Sequence, residues 1–411
     1  MASGVASQNP VLPDWKGQLK LLIIQPTPFC NLDCDYCYLP GRRDTHKMAL
    51  STLRIAAEKI FAANLPGSIL SVVWHAGEPL TVSREWYVAA FAILAELCPP
   101  SITLVHNFQT NGVLIDRKWL SFFREYGVRV GVSLDGPAYL HDKHRHTWDA
   151  QGTHTKVVQG VEVLQKAGFP FHIICVLTRD SLDHPDELLD FFTELKPVQL
   201  CFNIEEIESA NRFSSLAVDV GDTERAYRAF MLQILRRVKL NGQGLYKRND
   251  IPDAKHSSMR IREIDEVLAS LRHPEYGHVS GNSQNLPGHI LSIAWDGSYA
   301  TFSPELLGQK LPDGKALALG NLLFDDLPPH NEDLNYLGQW ADIRAGTERC
   351  QLECDYFKLC LGGAPANKLA ENGGFDTTET LFCRLTKKVL IEVVLEALDK
   401  ELPVASAAVS E

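Results

Sequence analysis

Nowhere in the 411 residues is there an unbroken apolar run of about 18, the length a helix needs to cross a bilayer, and no membrane association is expected. Nor does the chain open like a secretory precursor: MASGVASQNPVLPDWKG has neither the basic start nor the apolar core of a signal peptide. An excess of positive charge is missing too. The formal net charge of −11 and a pI near 5.7 speak against nucleic acid as a ligand, since phosphate backbones call for basic grooves. A cytoplasmic protein is the expectation. With 45% hydrophobic and 22% charged residues the composition is that of a globular chain, and its length calls for two domains or one enlarged α/β barrel.

Cysteine, by contrast, is plentiful, at positions 30, 34, 37, 98, 175, 201, 350, 354, 360 and 383. In a reducing compartment, clustered cysteines serve as metal ligands or catalysts more often than as disulfides. Cys98, Cys175 and Cys201 stand alone, the last two inside the apolar runs FHIICVLT and VQLCFNI, where buried structural thiols are expected. The other seven form two groups.

Between about residues 20 and 205, short β-branched and aromatic runs alternate with amphipathic segments. Strands are predicted over 21–25, 70–75, 102–108, 128–134, 171–177 and 198–204, with helices such as LSTLRIAAEKIFAA and DRKWLSFFREYG between them. Such alternation implies parallel strands joined by right-handed crossovers, as an open barrel or a doubly wound sheet. The unusual polar segments follow strand ends: the first cysteine group, then HAGEPL, QTNG, SLDGP and NIEEIE. Chemistry gathered at C-terminal strand ends marks a barrel mouth, so the predicted fold is α/β, a partial (β/α)6 TIM-like barrel. Its expected place is 18–209, after an N-terminal arm 1–17. A helical bridging region 210–287 follows, with a polar loop around 241–255. Then come a cysteine-rich region 288–402, opening on a strand and turn (ILSIAWDGSYATF), and a loose tail 403–411.

Cys30, Cys34 and Cys37 stand at C-x3-C-x2-C spacing on one loop. Three soft thiolates can hold three corners of a cubane iron–sulfur cluster and leave the fourth iron open to a chelating small molecule. Structural zinc is the competing occupant and wants a fourth protein ligand; His46, nine residues on, is the nearest candidate.

With Tyr36 before its last cysteine, this loop resembles the signature of the radical S-adenosylmethionine (SAM) superfamily. Gly77-Glu78-Pro79 resembles the family's GGEP segment, with Ala76 in place of the first glycine; the resemblance implies that its backbone and Glu78 receive the amino group of SAM. Gln109-Thr110-Asn111-Gly112 and Ser133-Leu134-Asp135-Gly136-Pro137 are similar to further segments lining the pocket. Ser133 and Arg145 match positions that in related maturases contact the ribose and the methionyl carboxylate. Taken alone, Asp-Gly-Pro reads as a turn, and Arg145 among His141, His144 and His146 as a solvated loop. The resemblance implies a [4Fe–4S] cluster on Cys30, Cys34 and Cys37, a 5′-deoxyadenosyl radical that abstracts a substrate hydrogen, and an electron donor such as flavodoxin or ferredoxin.

Cys350, Cys354, Cys360 and Cys383 resemble a SPASM domain, the auxiliary-cluster extension of peptide-modifying members of the family. Four cysteines suffice for one [4Fe–4S] cluster, and equally for structural zinc. A full SPASM domain has more. Here IAWDGSYATFSPE puts Trp295 and Ser303 near the expected cysteine sites, and Gly362-Gly363-Ala364 offers no thiol, so one auxiliary cluster is expected. Anaerobic sulfatase maturases resemble the chain along the barrel but carry an aspartate beside an auxiliary cysteine, where this chain has Ser303-Pro304-Glu305. The segments CFNIEEIE, TFSPELLG, CLGGAPANK and ENGGFDTTETLFCRLTKK are most similar to the cyclophane-forming maturases called GrrM or OscB, which act on ribosomal precursor peptides with glycine-rich repeats.

That resemblance implies a radical at a side-chain Cβ adding to a nearby aromatic ring, followed by loss of one electron, with the auxiliary cluster as acceptor, and one proton. A base must lie within reach of the ring. Glu205, Glu206, Glu208 and Glu305 are candidates, each of which could equally be solvated or structural. About 20 residues precede the first strand, so the precursor is expected to dock on the barrel, the bridging helices or the SPASM-like region. Formylglycine or thioether formation is the competing enzymatic reading. Outside enzymology, the competitor is a zinc-stabilised peptide-binding scaffold.

Overall fold

The computed structural model describes residues 13–238, 259–272, 282–311, 314–328 and 333–401. All six predicted strands form: β1 (Leu19–Ile24), β2 (Pro66–Trp74), β3 (Thr103–Thr110), β4 (Arg129–Ser133), β5 (Phe171–Leu177) and β6 (Gln199–Ile204). Each pairs in parallel with the next. Helices α1 (Leu50–Ala62), α2 (Arg84–Leu97), α3 (Arg117–Glu125), α4 (Ala138–His144), α5 (His154–Lys166) and α6 (Pro185–Leu195) lie between the strands. The result is the parallel, partial (β/α) barrel expected from the alternation.

Local chemistry explains the elements. In β5, FHIICVL alternates fully and partly buried residues with the period of a strand. Asp116 caps α3 by accepting the Trp119 N–H at 2.7 Å, and Trp119, Leu120, Phe122 and Phe123 form its buried stripe. That stripe meets Tyr87 and Phe108 in edge-to-face contacts, Tyr87–Trp119 at 6.0 Å and Phe108–Phe122 at 6.3 Å.

Three features were not foreseen. The first is α4, where a solvated loop was one reading: Leu140 and His141 are buried there, and His141 Nε2 lies 3.0 Å from Thr153 Oγ1. The second is that the later regions join the barrel's own sheet. β7 (Arg260–Ile261) pairs with β6, so the bridging region, which also holds α7 (Val220–Val238) and α8 (Arg262–Arg272), is not purely helical. β8 (Ile290–Ile293) pairs in parallel with β1, followed by antiparallel β9 (Ser298–Thr301) and β10 (Gly320–Asn321). The complete order is β10-β9-β8-β1-β2-β3-β4-β5-β6-β7. The third is α9 (Leu334–Glu353), whose buried residues Tyr336, Gln339, Trp340 and Ile343 recur at helical spacing but are diluted by polar neighbours. Tyr336 also receives the Trp15 indole N–H at 2.9 Å, which ties down the end of the N-terminal arm. Short helices α10 (Phe357–Cys360) and α11 (Pro365–Asn372) follow. After Leu381–Cys383 and a π-helical turn Arg384–Val389, α12 (Leu390–Glu401) packs on α7 and α8. The polar loop around 241–255 and the tail 403–411 fall outside the described residues.

Candidate active site

The first cysteine loop leaves β1 and is clamped by the chain that follows α4. Asp33 and Asp35 N–H donate to the carbonyls of His146 (2.8 Å) and His144 (3.2 Å), and the Trp148 indole N–H donates to Cys30 O at 2.9 Å. Burial first, and repulsion from neighbouring acidic groups, push the Cys30 thiol up to about 12; burial does the same to Cys34. Asn111, at the end of β3, donates through Nδ2 to Asn31 Oδ1 at 2.8 Å and lies 3.8 Å from Cys30 Sγ, so the QTNG segment grips this loop directly.

The segment after β2 presses on the same loop. A Cβ on Gly77, at φ +101°, would lie 2.3 Å from Thr27 O and 2.9 Å from Phe29 O, so only glycine permits the approach. Ala76 adopts φ +65°, a left-handed backbone at the very position where the resemblance expects glycine. Glu78 is 1% exposed, and burial pushes its carboxyl up to about 7. Its oxygens accept Leu80 N–H (2.9 Å), Thr110 Oγ1–H (2.7 Å) and Asn111 N–H (2.7 Å). The carboxylate therefore braces the second strand-end loop to the third, which leaves little capacity for an incoming ammonium beyond what the surrounding main chain offers.

Arg145 is not in a solvated loop. It is 8% exposed, and its Nε and Nη2 make a bidentate pair with Asp135 at 2.8 and 3.1 Å. Asp135 also accepts Val176 N–H at 2.9 Å and the Tyr36 hydroxyl, and the guanidinium lies 5.4 Å from the centre of the Tyr36 ring. Despite burial, the Asp135 carboxyl is held below its usual range by that guanidinium. Ser133 Oγ accepts from Gln109 Nε2 at 3.0 Å. The expected pocket residues therefore converge on the mouth beside the cysteine loop.

The second cysteine group converges as well. Cys350, Cys354, Cys360 and Cys383 line one small cavity, together with Gly362, Gly363 and Lys368. Leu361, Gly362 and Gly363 all have positive φ (+58°, +101°, +72°), which turns the chain sharply after Cys360. The Cys360 thiol is pulled down by a hydrogen bond from Cys383, by Lys387 and by the Gly363 and Gly362 N–H groups; Cys383 is pushed up as the donor. The wall is braced from outside by Asn285 Nδ2, which donates to Leu361 O at 2.8 Å.

Between these two centres lie the carboxylates. Glu206 and Glu208 share the Asn367 amide, at 2.6 and 3.2 Å, which links the end of β6 to α11. Burial pushes Glu206 and Glu305 up to about 7, and burial with repulsion from Glu206 and Glu305 pushes Glu208 well above its usual value. Phe302, fully buried at φ +71°, bends the chain so that Ser303 hydrogen-bonds Glu305 and Gly308 comes close to Pro40. Burial, and after it repulsion from Glu305, Cys37 and Glu208, also raises the Tyr38 phenol, whose hydroxyl lies 3.3 Å from His75 Nε2. Glu205 stands apart: its carboxylate accepts Ser215 N–H at 2.7 Å and the Ser215 hydroxyl, serving a turn. Tyr38, Asn367 and Lys368 were not foreseen, for nothing in their sequence spacing ties them to either cysteine group.

A radical SAM superfamily model matches residues 24–192, which contain the first cysteine loop and the HAGEPL, QTNG and SLDGP segments. Over 393 residues the chain is 39% identical to the uncharacterized protein sll1766 of Synechocystis sp. (strain ATCC 27184 / PCC 6803 / Kazusa), covering 95% of this chain and 94% of that one. The chain belongs to the radical SAM superfamily. It is also 32% identical, over 170 residues, to the serine-type anaerobic sulfatase-maturating enzyme of Klebsiella aerogenes, spanning 41% of this chain and 42% of that enzyme. Among solved structures, native anSMEcpe with bound AdoMet superposes with a TM-score of 0.70 at 22% identity, covering 92% and 98% of the two chains. Streptococcus suis SuiB bound to precursor peptide SuiA gives 0.57 at 16% identity, covering 89% and 76%. Both share the fold.

Radical SAM enzymes use a [4Fe–4S] cluster and SAM, and the residues here fit that pair. Buried thiols pushed up to about 12 stay protonated when free, and coordination to cationic iron is what makes them thiolates. His46 supplies no fourth ligand: its side chain is 69% exposed, paired with Asp44 and stacked on Trp295 at 4.6 Å. Among the described residues no group of three His, Cys, Asp or Glu side chains is placed to hold a single metal ion. Among the described residues, too, no helix is long and apolar enough to cross a membrane.

Proposed function

We propose that this radical SAM enzyme matures a ribosomally made precursor peptide by installing carbon–carbon crosslinks, three-residue cyclophanes, between an aromatic ring and a nearby side-chain Cβ. When bound, the cluster of Cys30, Cys34 and Cys37 with SAM supplies the radical that removes the Cβ hydrogen, and a cluster on Cys350, Cys354, Cys360 and Cys383 supplies an electron sink. The residues around them do the rest. Tyr36, Asp135 and Arg145 order one wall of the SAM pocket, Gly77 and Asn111 fix the cysteine loop, and Gln109 and Ser133 form a hydrogen-bonded pair inside it.

The observation that carries this reading is the half-buried Glu206–Glu208–Glu305 cluster beside a four-cysteine cavity. Carboxyls poised near 7 are matched to taking a proton from a ring that must regain aromaticity. The peptide substrate, its glycine-rich repeats and a flavodoxin or ferredoxin donor belong to the same proposal. A second reading, formylglycine formation, draws on the likeness to serine-type and cysteine-type sulfatase maturases.

Coexpression with a candidate precursor peptide that carries aromatic residues in glycine-rich repeats, followed by tandem mass spectrometry, separates the two. A crosslink removes two hydrogens, suppresses fragmentation between the joined residues and leaves nothing that reacts with a hydrazine. Serine-derived formylglycine also removes two hydrogens but is trapped as a hydrazone. An unmodified peptide, with about eight irons bound per chain and deoxyadenosine released from SAM, would refute the peptide reading.

A further inference from the structure

Lys368 sits on α11 in the wall of the four-cysteine cavity and is only 3% exposed. Its ammonium donates to Gly346 O at 3.0 Å and to Cys350 Sγ at 3.4 Å. Burying an ammonium is unfavourable unless an anion answers it. Neither of these partners carries a negative charge until the sulfur is a thiolate. The site is shaped for this placement: a Cβ at Gly346 would lie 2.1 Å from Phe375 O and 3.1 Å from Lys368 Nζ. Lys388, another cation acting on these cysteines, is already paired with Glu379 and is 26% exposed.

We propose that Lys368 is a fixed positive charge that sets the reduction potential of the auxiliary cluster held by Cys350, Cys354, Cys360 and Cys383. The inference rests on the reading that a cluster occupies this cavity. A four-thiolate cluster is anionic, and one-electron reduction adds a further negative charge. A cation at hydrogen-bond distance in a buried wall stabilises the reduced form more than the oxidised one, so it raises the potential. The electron comes from the substrate after its new bond has formed, the proton passes to the carboxylates, and no bond at iron is made or broken. Lys368 is thus a positioning residue for charge and does not touch substrate.

Three variants divide the roles: Lys368→Arg keeps the charge, Lys368→Gln keeps a donor without charge, and Lys368→Met removes both. In anaerobically reconstituted holoenzyme, a redox titration followed by electron paramagnetic resonance reads the cluster signal that SAM does not perturb. The expected result, at equal iron content, is a lower midpoint potential in the Gln and Met variants and a wild-type potential in the Arg variant. A fully loaded Gln variant with the wild-type potential overturns the proposal. If Gln and Met lose the iron of the second site, its retention in Arg supports the charge role. Loss in Arg as well overturns it and leaves Lys368 a packing residue. Failure of the underlying reading looks different: the wild-type chain itself would then bind only the iron of the first cluster.

Discussion

Glu305→Gln tests the carboxylate cluster with a neutral side chain of the same shape. Burial moves the Glu305 carboxyl from 4.5 to about 7, so the folded chain holds a proton that the unfolded chain has released over that interval. Stability contributed by the neutral form is therefore present below about 4.5 and lost as pH rises through 7. The full displacement corresponds to about 3 kcal/mol. Glu305 keeps part of its side chain accessible, and solvent screening leaves about 1–2 kcal/mol. The glutamine variant escapes this penalty. It should match wild type near pH 5 and exceed it at pH 8 by that amount, or about 1–2 °C in a chain of this length. Calorimetry of both proteins, loaded alike and scanned at each pH, measures the difference. Because repulsion from Glu206 also raises Glu305, each single variant already relieves that repulsion, and Glu206→Gln combined with Glu305→Gln should gain less than the sum of the singles. A wild-type-minus-variant difference that does not change between pH 5 and 8 would refute the cluster's coupling to pH, and with it the case for these carboxyls as the proton acceptor.

Ala76→Gly should stabilise the chain by about 0.5–1 kcal/mol without slowing SAM cleavage, since Ala76 holds a left-handed backbone at φ +65°; denaturant titration would show it. Glu205→Gln weakens the turn at Ser215 and should cost about 1–2 kcal/mol, while single-turnover rates per folded enzyme stay at wild type. Asn111→Ala removes the tie between the QTNG segment and the first cysteine loop, and should make that cluster lose iron several-fold faster under chelator challenge.

The barrel was legible because its strands announce themselves. β5 alternates buried and half-buried residues over seven positions, and the polar segments follow β-branched runs that could hardly be anything but strands. The first cysteine group was legible because its spacing is local; in the second only Cys350, Cys354 and Cys360 are close in sequence, and Cys383 joins their cavity from 23 positions further on. What the sequence could not carry was pairing at a distance. Nothing in ILSI says that β8 lies against β1, because a buried parallel strand reads the same beside any neighbour. Glu78 shows the same limit on a smaller scale: its identity pointed to a charged ligand, but its place between Leu80, Thr110 and Asn111 is a property of two loops meeting.

The later half of the chain makes the point most sharply. Glu206 comes from just past β6, Asn367 from α11 and Glu305 from the turn that Phe302 forces after β9, yet they come together in one half-buried cluster. Each is an ordinary polar residue in its own segment, and only convergence makes its carboxyl hard to ionise. Lys368 follows the same logic with the opposite charge. One residue from Asn367, it faces Cys350 instead of the carboxylates, so α11 separates a face turned to Glu206 and Glu208 from one turned to the second cysteine group. If the ring loses its proton toward Glu206, Glu208 and Glu305 while its electron passes toward Lys368 and the cysteines, both charges end beside groups placed to stabilise them. That division of labour across a single helix is why the potential of Lys368→Gln and the pH response of Glu305→Gln should change independently of each other.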